Sequence, residues 1–165
     1  MQDALVAAAD DLVGDGIRET GIPLSDTLRH YMAITIARFM REQVRVDRLT
    51  IRVVSAMDRR AAPAEMRALA DTCLIACSIF EKRLRRAGGS LRHYSGLGQT
   101  AYGAAALTEQ AYSFPHMRDV IAAATGNPPE GVRDLIDAAR AGSSKAADRL
   151  ADEGVIAFPT QKFFH

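Results

Sequence analysis

The run from Pro63 to Ala87 is the feature that most narrows what this chain can fold into. Met66, Leu69, Ala70, Cys73, Cys77, Phe80 and Leu84 recur at steps of three and four, and Leu74, Ile75 and Ile79 widen the stripe. Apolar residues at that period form one broad face of a helix, and such a face has to be buried against other elements. Pro63 suits a first turn, where its missing amide would have been unpaired anyway. Lys82 to Arg86 bring positive charge to the negative end of the helix dipole, and Gly88-Gly89 ends the run. The spacing predicts one continuous helix from Pro63 to Ala87.

The flanking segments repeat this pattern. Gln2 to Val13 reads as a short helix with Leu5, Ala8, Ala9, Leu12 and Val13 on one side, after which Gly14, Gly16 and Gly21 loosen the chain. Ser25 or Asp26 caps a second helix carrying Leu28, Tyr31, Met32, Thr35 and Phe39. Asp47 is expected to cap a third, from Arg48 to Arg60. Its β-branched residues Thr50, Ile51, Val53 and Val54 also allow a strand, but its arginines do not alternate as strand residues would. Ser90 caps a fifth helix running to Tyr112, in which Gly96, Gly98 and Gly103 mark either a break or a close backbone approach. The fifth helix is expected to lie antiparallel on the fourth through the Gly88-Gly89 turn. Ser113-Phe114-Pro115 reads as a corner, followed by short helices at His116 to Thr125, Glu130 to Ala141 and Lys145 to Glu153. The aromatic tail, residues 151–165, is expected to be extended and peripheral. The expected fold class is therefore all-α, a single-domain helical bundle over residues 1–165. LRHY occurs at Leu28 to Tyr31 and again at Leu91 to Tyr94, but the sequences beyond the two matches differ, so it is read as coincidence.

At 165 residues, with 25% charged and 48% hydrophobic residues, the chain suits one globule of ordinary composition. No apolar run reaches the roughly 20 residues that a membrane crossing needs, so no membrane partner is expected. The acidic start lacks the basic region and apolar core of a secretion leader, which makes the expected location cytoplasmic. The net charge of +1 conceals an uneven distribution. Acids outnumber bases before Arg38 and after Tyr102, while the middle is strongly basic and nearly all of its bases are arginine. Such a middle faces either the acidic ends or an acidic partner.

Chemical motifs are sparse. Cys73 and Cys77 lie four apart on the main stripe, an awkward geometry for a disulfide, and read as reduced core residues. No HExxH, G-x-S-x-G or phosphate-loop pattern is present. No catalytic residue, metal ligand or cofactor is assigned. His30, His93, Tyr94, Gln99 and Tyr102 are candidates to line a polar pocket. Arg41, Arg45, Arg48, Arg52, Arg83 and Arg86 are candidates for a basic surface. The first four would form one stripe if helix continued through the bend at residues 44–46.

Arg86, Gly89, Leu91, Tyr94, Ser95, Gly98, Ala101, Tyr102 and Gly103 give the middle of the chain a pattern that resembles an uncharacterised family of small bacterial all-helical proteins. The resemblance implies a helical fold and assigns no activity. The expected function is a non-enzymatic binding or regulatory protein, a homodimer or the receptor of a protein partner, acting through helical surfaces. A nucleic-acid-associated regulator using the central arginines is the first alternative. A small-molecule binder or enzyme around His93, Tyr94 and Tyr102 is the second.

Overall fold

The computed structural model describes residues 2–126 and Gly142. The described residues form an all-helical bundle of seven helices: α1 (Gln2–Thr20), α2 (Asp26–Phe39), α3 (Leu49–Asp58), α4 (Pro63–Ile79), α5 (Glu81–Arg86), α6 (Leu91–Ala104) and α7 (Thr108–Ala124). The helices expected at Glu130 to Ala141 and Lys145 to Glu153, and the tail, lie outside the described residues. Among the described residues, no helix is long and apolar enough to cross a membrane.

The fourth apolar run forms the centre. Met66 and every residue from Leu69 to Ser78 are buried, so the middle of α4 is enclosed on all sides. α6 is its most extensive neighbour, as the expected antiparallel pair requires, while α7 packs on both and α1 pairs with α2 and α7. The run is not one straight helix. It kinks at Phe80, and α5 continues from there with Leu84 still buried.

Helix ends show which residues the local chemistry favours. Ser25 accepts the Leu28 amide at 3.2 Å and Ser90 accepts the His93 amide at 3.0 Å, so both expected caps form. LRHY thus starts three residues after one cap and one residue after the other, and the two copies differ in helix register. α5 ends in a Schellman turn with Gly88 left-handed at φ 90°. α6 ends in the same turn: Leu107 N–H bonds Tyr102 O and Ala106 N–H bonds Gly103 O. Here the left-handed position is Ala106, at φ 59°. That turn stops α6 at Ala104, well short of the expected Tyr112, and no glycine at the stop position announced it.

Three further expectations fail for identifiable reasons. α1 does not end at Val13 but runs on to Thr20. A Cβ on Gly16 would overlap the Val120 carbonyl, so this glycine lets α1 lie close on α7 instead of breaking it. Gly21, at φ 67°, supplies the actual stop. Asp47 does not cap α3. Arg48 holds that position in a left-handed conformation, φ 52°, with no side-chain cap. Ser113-Phe114-Pro115 is no corner, because α7 passes straight through it. Pro115 cannot donate to the Ala111 carbonyl, and the Gln99 side-chain amide of α6 donates to that carbonyl instead, at 3.2 Å.

The glycines of α6 fall into two kinds. A Cβ on Gly98 would overlap the Phe114 ring and meet Cys73 Cβ at 3.0 Å, whereas Gly96 and Gly103 face open space. Gly16→Ala should cost about 1–3 kcal/mol, because backbone has to move. Ala106→Gly should gain roughly 0.5–1 kcal/mol by relieving the left-handed alanine. Thermal and chemical denaturation of the two variants measures both.

Candidate functional site: a buried carboxylate and an exposed helix face

Asp71 interrupts the apolar middle of α4, and its side chain is fully buried. A carboxylate there has to find its partners inside the protein. Tyr31 of α2 and Tyr102 of α6 both donate to Oδ1, Tyr102 at 2.6 Å. Arg38 Nη2 of α2 donates to Oδ2 at 3.0 Å. Arg67, one turn earlier on α4, stands 3.9 Å from Oδ2 with its guanidinium over the Tyr31 ring. The Tyr102 ring meets Tyr31 edge-on and leans on Phe114. Three helices thus converge on one carboxylate. Burial pushes the Tyr31 phenol up to about 12, and the neighbouring Asp71 charge adds to the effect. The same causes, in the same order, raise Tyr102 well above its ordinary value. Both phenols stay protonated and locked as donors.

Of the five pocket candidates, only Tyr102 belongs to this centre. His30 is exposed on α2. His93 is exposed, shares a 2.9 Å hydrogen bond with Thr50 and lies edge-on to Tyr94. Tyr94 is buried, its ring covering Gly89. Gln99 completes the backbone of α7. Tyr94, Gln99 and Tyr102 thus make separate contacts within the bundle, while His30 and His93 stand exposed.

Both thiols are free and buried. Burial pushes the Cys77 thiol up to about 12, against the pull of the Arg118 charge, and raises Cys73 further. A thiol held protonated in this way is a poor nucleophile at neutral pH. Arg118, also fully buried, pairs with the adjacent Asp119. Among the described residues, no three metal-ligating side chains cluster.

The surface offers a different feature. α3 packs on α4 and α6 through Leu49, Val53 and Ala56. Its outer side leaves Ile51 59%, Val54 46% and Met57 37% exposed, three apolar side chains at i, i+3 and i+6. A cleft of about 430 Å³ separates α3 from α4, with Ile51, Ser55, Ala68, Leu69 and Thr72 on its walls and Arg52, Arg59 and Glu65 at its rim. A shallower one of about 550 Å³ lies over Ile51, Val54 and Ser55. Arg59 pairs with Glu65 across the first cleft. Arg52 Nη1 donates to the Arg45 carbonyl at 2.7 Å, and Arg45 stands 3.8 Å from Asp47.

The basic candidates divide accordingly. The helix does not continue through the bend, so Arg41 and Arg45 lie in the connection between α2 and α3 and no single stripe forms. Arg45, Arg48 and Arg52 gather at the start of α3. Arg83 lies over the Phe80 ring, and Arg86 is exposed in the last turn of α5. The sequence reading missed Asp71, Tyr31 and Arg38, although a lone carboxylate inside an apolar helical run was the available signal. No protein family, curated protein or solved structure matches the chain.

Asp71→Ala should cost about 3–5 kcal/mol, because it strips a buried carboxylate from its donors. Tyr102→Phe should cost about 1–2 kcal/mol. Both thiols and both phenols keep their protons to a higher pH when folded, so unfolding in alkali releases protons and stability falls as pH rises. Denaturation midpoints should hold steady up to about the ordinary thiol value of 9.0. They should then decline through the tyrosine value of 10.0 toward about 12. Tyr102→Phe should flatten the decline above the tyrosine value.

Proposed function

We propose that this chain is a non-enzymatic binding protein whose working surface is the outer face of α3 and its cleft with α4. The observation that supports this reading most is the exposed line of Ile51, Val54 and Met57. A protein of this size hides its apolar helix faces wherever it can, and exposed apolar area beside a cleft marks an interaction site. Neither the Asp71 centre nor the two thiols favour a reading as an active site. Asp71 has no exposed surface, its two tyrosines are committed to it, and the thiols are protonated.

A row of aliphatic side chains on a helix, with a groove alongside, suits another amphipathic helix. The test is a display selection of helical peptides on the immobilised full chain. Enriched peptides should carry apolar residues at i, i+3 or i+4, and i+7. Val54→Glu should weaken them by about ten-fold or more, in line with the loss of a central contact. Ile34→Glu, on an isoleucine of α2 that is 40% exposed, should leave them unchanged. Peptides indifferent to Val54→Glu would remove α3 as the working face. Light scattering on the unliganded chain covers the homodimer, and a dimer dissolved by Val54→Glu would put a second copy on this face.

A further inference from the structure

We infer that the partner seated on α3 is an acidic amphipathic helix, its apolar stripe on Ile51 and Val54 and its carboxylates against Arg48 and Arg60. This inference rests on the docking role proposed above and names the partner's chemistry. Five arginines (Arg45, Arg48, Arg52, Arg59 and Arg60) stand in and around α3 against three carboxylates, Asp47, Asp58 and Glu65. Two of those carboxylates are already engaged, Asp47 by Arg45 and Glu65 by Arg59. The surplus of two positive charges lies at the start of α3, where Arg45, Arg48 and Arg52 stand against Asp47; at its end Arg59 and Arg60 balance Asp58 and Glu65, with Arg59 committed to Glu65 and Arg60 left as the exposed arm.

Arg48 and Arg60 carry the argument further. Each stands in a left-handed backbone conformation, at φ 52° and φ 50°. Arg60 occupies the stop position of a Schellman turn, with Arg60 N–H on Met57 O and Ala61 N–H on Ala56 O. At the ends of α1, α5 and α7 the corresponding left-handed residues are Gly21, Gly88 and Gly126. Glycine takes this conformation without penalty and a side chain does not. α3 is therefore bracketed by two exposed arginines at positions where glycine would fit the backbone better. Between them runs the ten-residue α3, about 15 Å of helix rise. That span matches one carboxylate at each end of a docked helix of about three turns.

Other occupants fit less well. A second copy docking α3 on α3 about a two-fold axis would set arginine against arginine. A nucleic acid would meet aliphatic side chains, which offer no base stacking.

The experiment uses the full chain and three designed 15-residue helices that share one leucine stripe and carry glutamate, glutamine or lysine on the flanks. Fluorescence anisotropy should show the glutamate helix binding about ten-fold tighter than the glutamine helix, with an affinity that falls as salt rises. The lysine helix should bind most weakly. Arg48→Gly and Arg60→Gly should reduce the preference for glutamate over glutamine while Tm stays level or rises by about 2–4 °C. Ala106→Gly relieves the same kind of backbone position without changing charge, and should raise Tm with binding unaltered. A glutamate helix no tighter than the glutamine helix, with both abolished by Val54→Glu, would overturn the acidic partner and leave α3 as a docking face. No binding by any of the three would overturn both. A DNA duplex bound more tightly than the glutamate helix would overturn the inference in favour of nucleic acid.

Discussion

The Asp71 carboxylate ties α2 to α4 and α6. α2 packs most closely on α1, and it reaches the centre through the long side chains of Tyr31 and Arg38. Two phenols and one guanidinium then divide the two carboxylate oxygens between them. A buried ionised group with one partner missing is costly, while one with all partners present fixes the geometry of everything that reaches it. α2 and α6 supply those partners and α4 the carboxylate, so a shift of any of the three would leave an unpaired group in the core. The same restraint carries outward. Arg38, 35% exposed, holds Asp71 at one end and borders the surface between α1 and α2.

What the sequence made legible follows from what periodicity reports. Met66, Cys73, Cys77 and Leu84 are all buried, as their spacing requires, and the seam persists through a kink at Phe80 that spacing alone does not show. Ser25 and Ser90 were legible as caps because their chemistry is local. Pro115 and Gly16 were misread because their effect is not local. The proline is tolerated because Gln99 on another helix takes over the orphaned carbonyl, and the glycine is needed because α7 lies against it. Asp71 could have been noticed as a charge among apolar residues. Its partners come from positions 40 residues earlier and 31 later, a pairing that no single-helix pattern contains.

Helix stops divide along the same line. Gly21 and Gly88 announce their turns, whereas Ala106 and Arg60 form equivalent turns without the residue that signals one. Alanine at such a position leaves its backbone strained and adds little to the surface. Arginine leaves the same strain and adds a long charged arm in solvent, so the two departures from glycine differ in what they give the molecule. The conformational preference of the backbone favours glycine at both, and only at Arg60 does the side chain bring a charge that a partner can meet.

The surface reading follows from comparing α3 with α4. Both carry apolar residues round much of their circumference. In α4 this is matched by burial on all sides, with α6 and α7 packed on it and α3 covering part of what remains. In α3 only Leu49, Val53 and Ala56 are buried, and the rest of its apolar surface faces outward. A helix that is apolar nearly all round is ordinarily a buried helix. α3 differs: Thr50, Arg52, Ser55 and Asp58 interrupt its circumference, and Ile51, Val54 and Met57 stand exposed among them. Among the described residues nothing covers its outer face, and exposed arginines, Arg48 and Arg60, stand at its two ends.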